Sequence, residues 1–429
     1  MRDQQSPPAF TLTPSFRGWR GALLLIMVVA APLWHLHIIN REMPSTHSDL
    51  VPVWVGVRAL LHHQNPYTDT VTRQAQITYY GRALSAADHV NKMGFAYPAT
   101  TGIVLAALAP LDWIHARLAF LCILPVLTAL GTFAWIRVSQ LQLSHVPTIF
   151  LTLGVLFSWP VIWALRLQQP SLLVAALVAT GCLSLQRGKG SLAGVLLALA
   201  MIKPQIVGPL ILWLLVWAVF HRSWPFVCSF AISMGALLAA AQKLCPAWVS
   251  PWRAAGIDLL SYTHQAPALQ TMFGDAVGMV LMFVFALTSV WILWKLRSCA
   301  ALSVDFAMAI SLALSATVCL MPTDPPMIYN DVFLFPPLLM LICSNPEQYY
   351  VGLARRIVLG LLIWTFAAPV LAVLGETLRT PSALWDGLPF QNGFLPIAVC
   401  IGLTANLLQT VRSSKENFGE LARPACATS

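Results

Sequence analysis

Ionisable side chains are scarce in this chain, at 10% of residues, so those flanking long apolar runs are the most informative. Asp49, Arg58, Lys92 and Tyr97 fall in the long hydrophilic interval 41–98. Arg166, Gln168 and Gln169 separate two apolar runs, and Lys203-Pro204-Gln205 separates two more. His264 lies in a later polar stretch; Asp324, Tyr329, Asn330 and Asp331 lie in the next. A carboxylate among scattered cations suits transfer of a group from a phosphate-linked donor. The carboxylate deprotonates an acceptor hydroxyl, and cations hold the phosphate and stabilise the charge it gains on leaving. Because a phosphate leaving group needs no general acid, one base suffices, unlike the carboxylate pair of glycosidases.

Each of these residues also has a plain structural use. Ser-Asp before an apolar run suits a helix N-cap at Asp49. Lys203 suits a lysine snorkelling from a helix end, Gln168 and Gln169 suit caps, and Asp324 before Pro325-Pro326 suits a turn. The histidines show neither HxxxH nor HExxH spacing, so no metal is expected. There is no glycine-rich phosphate loop and no GxSxG, so neither a nucleotide donor nor another cofactor is indicated. The nine cysteines form no CxxC and lie mostly inside apolar runs, as small packing residues do.

The elements that must position these groups are helical. With 58% hydrophobic residues and a mean hydropathy of +0.73, the chain has too many long uncharged runs for one soluble core. It reads as an all-α polytopic integral membrane protein. Its net charge of +9 comes in ones and twos between the runs, which suits topology determinants and argues against nucleic acid as a partner. Spans are expected near 21–39, 116–136, 147–165, 170–186, 190–203, 205–220, 224–242, 274–294, 300–321, 331–344, 355–375 and 392–411. That makes about 12 transmembrane helices. The domain reading is a cytoplasmic tail 1–18, a transmembrane domain 19–411 and a cytoplasmic tail 412–429, with residues 41–115 an outer loop holding juxtamembrane helices. No cleavable signal is evident.

One short apolar segment, 99–111, sets the topology. At 13 residues it falls short of the roughly 20 a span needs. Held outside the hydrocarbon, it leaves Arg137, Arg187, Lys189, Arg222, Lys295 and Arg297 on inner connectors and Asp49, Asp69, Asp112, Asp258 and Asp275 on outer ones. That is the positive-inside pattern. Leu50 to His62 is expected as a short helix at the membrane interface, and 243–273 as an outer loop.

Several motifs in this order carry a family resemblance. They are Asp49 before its helix, Arg58-Ala59-Leu60-Leu61 with Asn65-Pro66-Tyr67, and Phe95-Ala96-Tyr97-Pro98. Then come Gln169-Pro170-Ser171-Leu172-Leu173, Leu192-Ala193-Gly194-Val195, Ile202-Lys203-Pro204-Gln205 and His221-Arg222-Ser223-Trp224. The sequence resembles the GT-C membrane glycosyltransferases, specifically glycosyltransferase family 87, over about residues 20–225 and by hydropathy beyond. The resemblance implies a GT-C fold in the inner (plasma) membrane, an active site on the extracytoplasmic face and both termini in the cytoplasm. It implies inverting, metal-independent transfer of a sugar, commonly mannose, from a polyprenyl-phosphate donor to a glycolipid or glycan acceptor. Asp49 would be the catalytic base, with Lys203, Arg58 and Lys92 on the donor phosphate. Tyr97, Gln168, Gln169, Gln205, His264, Tyr329, Asn330 and Asp331 would line the substrate cavity, and the lipid bilayer is a further partner. Members often carry a histidine in the outer loop before a late span; here that place reads Met327-Ile328-Tyr329-Asn330-Asp331. A lipid-linked glycan transporter or flippase, or a glycan polymerase, is the alternative. Transporters tend to show matching halves and polar groups at the midplane, whereas no halves match here.

Overall fold

The computed structural model describes residue 37, residues 46–343 apart from 86, 89, 142, 264–266 and 322–324, and residues 397–405 and 407. The tails, the spans expected at 21–39 and 355–375, His264 and Asp324 lie outside the described residues, as does part of the span at 392–411. Within them the chain is helical throughout, with no strand.

The hydrophilic interval folds into two helices, α1 (Leu50–Leu61) and α2 (Asp69–Tyr80). Nine of the twelve α1 residues are buried, so this helix packs as part of the protein interior on nearly all its faces. The reason is α2, whose composition is too polar to announce a packed helix; Val71, Ala75 and Gln76 turn inward. Gln76 holds the returning chain, donating to the Lys92 carbonyl (3.0 Å) and accepting from the Leu84 amide (2.9 Å). The segment 99–111 is α3 (Thr100–Val104) and one 3-10 turn, Ala106–Leu108. At about 1.5 Å per residue this is far below the roughly 30 Å of a hydrocarbon core, so it is too short to cross as a helix.

Next, α4 (Trp113–Val138) is capped by Asp112, whose carboxylate accepts from the His115 amide at 2.9 Å. It presents Ile114, Leu118, Val126 and Leu130 outward, as a lipid-facing helix does. The span expected at 147–165 is broken into α5 (His145–Leu156) and α6 (Trp159–Arg166), bent by 52°. Pro160 enforces the break, since it lacks the N–H that would continue the ladder. A helical stack follows: α7 (Ser171–Gln186), α8 (Gly190–Ala200), α9 (Pro204–Phe220) and α10 (Trp224–Leu244). The stretch 243–273, expected as a loop, instead holds α11 (Val249–Thr263) and α12 (Ala268–Phe273). The described bundle is completed by α13 (Asp275–Lys295), α14 (Val304–Leu320), a 3-10 segment Pro325–Leu334 and α15 (Phe335–Cys343). The last two replace a single span expected at 331–344.

Among the described residues three helices are long and apolar enough to cross a membrane, and the bent α5–α6 pair makes a fourth. Six more are apolar but shorter. The chain is a helical membrane protein, with fewer full-length spans in view than the hydropathy runs suggest.

Two hydrophobic clusters organise the bundle. One gathers α7–α9 around α14, with Leu197, Leu210, Trp213 and Phe306 at its centre. The other surrounds α1, with Val53, Val57, Phe120, Val161 and Leu172. Val104, Leu173 and Val332 pack against both, so the two meet next to Ser171 and Asn330. The α8–α10 crossing depends on Gly194: a β-carbon there would stand 2.0 Å from Ser229 Oγ and 2.6 Å from the Phe230 amide. Small residues let membrane helices approach this closely. Gly194→Ala should therefore cost about 1–3 kcal/mol and lower the thermal unfolding midpoint in detergent. Gly208→Ala, which meets nothing within 4 Å, should leave the midpoint unchanged or raise it.

Candidate active site

The site is assembled where the start of α1 is pinned to the turn between α6 and α7. The Asp49 amide donates to the Leu167 carbonyl at 3.1 Å, and Ser48 Oγ donates to the same oxygen at 3.0 Å. Ser48, not Asp49, serves the helix start, its hydroxyl accepting from the Leu50 amide at 3.1 Å. Asp49 sits in helical φ/ψ and its side chain caps nothing. This removes the capping explanation and leaves the carboxylate for other work.

The turn itself divides the labour of two adjacent glutamines. Gln168 has a left-handed backbone (φ 51°), and its amide donates to the Leu165 and Arg166 carbonyls, both at 2.7 Å. It closes the end of α6 through its Nε2, and its buried Oε1 makes no hydrogen bond among the described residues. The change of direction at Gln168 sends Gln169 the other way. Gln169 Nε2 donates to Asp49 Oδ2, and Gln169 Oε1 accepts from Lys203 Nζ at 2.9 Å. The amide can be oriented only this way, because a lysine ammonium only donates and a carboxylate only accepts. Lys203 also donates to Ser171 Oγ at 2.7 Å, and Ser171 donates to Asn330 Oδ1 at 3.1 Å. One hydrogen-bonded chain thus links α1, the α6–α7 turn, α7, the α8–α9 turn and the 3-10 segment after α14.

Aromatic rings enclose this chain. Lys203 Nζ lies 5.0 Å from the centre of the Tyr329 ring and 5.9 Å from that of Tyr97, within reach of cation–π attraction. The Tyr97 backbone is held by Tyr67, whose hydroxyl donates to its carbonyl at 2.8 Å. On the other flank Arg166 Nη1 donates to the His47 carbonyl at 3.0 Å, and the His47 ring stacks on Tyr79 at 4.5 Å. Gln169 and Lys203 are only 2% and 4% exposed, whereas Asp49 and Tyr97 keep accessible surface. Residue 49 is therefore less enclosed than the Gln169 and Lys203 end of the chain, although its carboxyl group lies deep.

Burial pushes the Asp49 carboxyl above the usual carboxylate range, against the Gln169 hydrogen bond and then the Lys203 charge, which both hold it down. Burial likewise pulls the Lys203 amine down to about 7, with Asp49 opposing. The Tyr97 hydroxyl is raised by burial and by the charge of Asp49.

Other expected site residues lie elsewhere. Arg58 covers the Trp54 ring at 4.8 Å, at the far end of α1 and about 13 Å along the axis from Asp49. Lys92 pairs with Asp258 at 2.8 Å, both about half exposed, tying the first loop to α11. Gln205 is exposed in the first turn of α9, and Asp331 adjoins the chain without joining its hydrogen bonds. His264 falls outside the described residues. Ser48, Ser171, His47, Tyr67 and Tyr79 were not foreseen. Ser48, Tyr67 and Ser171 stand in motifs visible in the sequence, the Ser-Asp pair, Asn-Pro-Tyr and Gln-Pro-Ser, whereas His47 and Tyr79 have no such signal. Among the described residues no three His, Cys, Asp or Glu side chains gather as a metal site would require.

A model of glycosyltransferase family 87 matches residues 95–322, just over half of the chain. The chain belongs to glycosyltransferase family 87. Neither a curated relative nor a solved structure matches it. The match covers Tyr97, Arg166, Gln169, Ser171 and Lys203 and begins after Asp49. The base candidate of this glycosyltransferase is therefore tied to the family region by its hydrogen bond to Gln169, not by the match itself.

Because Asp49 caps nothing and its charge is disfavoured by burial, Asp49→Asn should melt at or above the wild-type temperature at pH 8. Ser48→Ala severs two hydrogen bonds and should cost about 1–3 kcal/mol. Thermal unfolding of the two purified variants in detergent checks the contrast, and an unstable Asp49→Asn would mark Asp49 as structural.

Proposed function

We propose that this glycosyltransferase moves a sugar, mannose by its family likeness, from a polyprenyl-phosphate donor to a hydroxyl of a lipid-linked or periplasmic glycan. The reaction takes place on the extracytoplasmic face of the inner membrane. The observation that carries this reading is Asp49: a deep carboxylate that caps no helix, is held at one oxygen by Gln169 and belongs to a residue only partly buried.

The acceptor hydroxyl approaches the anomeric carbon with its proton directed at Asp49. As the new C–O bond forms, the bond from the anomeric carbon to the phosphate oxygen breaks, and the phosphate departs with the electron pair. The proton ends on Asp49, and the configuration inverts. A raised carboxyl pKa suits this role, since a base works best when its pKa lies near the operating pH. Lys203 and Arg166 supply positive charge around the site from buried positions.

The lipid part of the donor has a candidate path. An apolar crevice between α4, the α5–α6 break, α7 and the 3-10 segment is lined by Thr128, Gly131, Thr132, Ala175, Ala176 and Val332. Leu172, the residue after Ser171 of the polar chain, is among its lining residues. Gly131 and Ala176 meet closely across it, a β-carbon on Gly131 standing 3.1 Å from the Ala176 backbone, so an isoprenoid chain entering here has to part the helices.

Two measurements test the reading. Purified protein incubated with labelled polyprenyl-phosphate mannose and a glycolipid acceptor should transfer label, which a transporter would not do. Asp49→Asn should reduce that transfer about 10²- to 10⁴-fold; near-normal activity would move the base elsewhere. For the crevice, Ala175→Phe should raise KM for a long-chain donor about tenfold while leaving a short-chain analogue nearly unaffected. Equal effects on both donors would place the lipid chain on another surface.

A further inference from the structure

Resting on the reading of Asp49 as the base, we infer that Lys203 is a positioning residue: a buried counter-charge that acts on Asp49 through the Gln169 amide and does not bind the donor phosphate.

The geometry of the ammonium is the first ground. The whole residue is only 4% exposed, which is not how a snorkelling lysine places its charge. Two of its three donors are spent, on Gln169 Oε1 at 2.9 Å and Ser171 Oγ at 2.7 Å. The Tyr97 and Tyr329 rings cover it further. One donor remains, and a phosphate would have to pass these rings to reach it.

The second ground is the single amide between the two charges. An ion pair in direct contact would hold Asp49 ionised so firmly that it could scarcely accept a proton. With no positive partner, burial would keep the carboxyl protonated and useless as a base. The Gln169 amide gives an intermediate: one hydrogen bond to the carboxylate, polarised from behind by the lysine. Ser171 and Asn330 fix the lysine in turn, so the distance between the charges is set by three elements rather than by one flexible side chain.

Among the described residues, the groups facing Asp49 are few. Tyr79 and Tyr80 approach from α2, Tyr97 from the segment before α3, and Tyr329 from the 3-10 segment, and each hydroxyl senses the Asp49 charge. Gln169 comes from the α6–α7 turn and Lys203 from the α8–α9 turn. Arg166 and His47 stand on the flank, joined to each other. Of these, Lys203 is the cation that a hydrogen-bonded chain connects to Asp49.

The sign of the effect follows. Removing the lysine charge raises the Asp49 pKa, so the acidic limb of kcat/KM moves to higher pH. The shift should be about one pH unit for Lys203→Met, with donor KM within about twofold of wild type. Lys203→Arg, which keeps the charge, should return the limb toward its wild-type place. Gln169→Leu cuts the same link and should also raise the limb, which keeps the test open should Lys203→Met fail to fold.

The experiment is the pH profile of kcat/KM and the donor KM of the full-length enzyme in nanodiscs, with polyprenyl-phosphate mannose as donor. In parallel, the Asp49 carboxyl band is titrated by difference infrared spectroscopy against Asp49→Asn, with no donor present. An upward shift of that band in Lys203→Met and Gln169→Leu supports the proposal. An unmoved band overturns it, as does a tenfold rise in donor KM with an unmoved acidic limb, which would make Lys203 a phosphate ligand. Absence of any transfer would refute the reaction assigned to the protein, yet the infrared titration would still decide the coupling.

Discussion

Asp49 and Lys203 lie inside a largely apolar bundle, and the Gln169 amide between them makes their burial tolerable. An isolated charge in such a medium is expelled or neutralised. Here the carboxylate receives a hydrogen bond, the ammonium gives two, and each feels the other across one amide. This arrangement constrains far more than the two residues. The three elements that contribute Asp49, Gln169 and Lys203 cannot shift independently without leaving a buried polar group unsatisfied.

The same constraint explains why a hydrophilic loop packs like a core. The chain around α1 is drawn in by Asp49 and Ser48, both bonded to the Leu167 carbonyl, and α1 then buries nine of its residues under α2 and α3. Aromatic groups close the remaining gaps, with the Phe95 ring standing against Gly56, where no larger residue would fit. The loop is thus a structural layer that carries the base into the bundle. Its outer part remains polar and is fastened at the surface by the Lys92–Asp258 pair and by Trp252, which donates to the Ala96 carbonyl at 3.2 Å. Exposed pairs of this kind contribute little stability, and here the pair serves to hold the loop in register with α11.

The break between α5 and α6 also belongs to this design. A straight helix through 145–166 would continue past the turn that holds Gln168 and Gln169. Bending by 52° at Ser158-Trp159-Pro160 redirects α6 so that its carboxyl end, with Arg166, comes to the start of α1. Gln168 then closes that end with its own side chain and a left-handed backbone. The local rule that proline and a β-turn glutamine break a helix is simple. Its consequence, a polar turn delivered into an apolar interior, is what the chemistry requires.

Composition and hydropathy were enough to establish a helical membrane protein, the positions of α4, α7, α9, α10, α13 and α14, and a segment at 99–111 too short to cross. These are properties of single stretches: an uncharged run seeks lipid or a core whatever surrounds it. Motif order was enough for the family, and it pointed to Asp49, Gln169 and Lys203 as residues worth examining. What no stretch contains is which of them meet. Residues 49, 169 and 203 are brought together only by packing, and so are Ser171 and Asn330. Packing likewise sent Arg58 to Trp54 and Lys92 to Asp258, and it separated Gln168, a cap, from its neighbour Gln169, the link to the base. A side chain's identity states which bonds it can make, but the direction of its backbone decides which it does make. That direction was set by α2 and the α5–α6 bend, the two features whose local sequence was least distinctive.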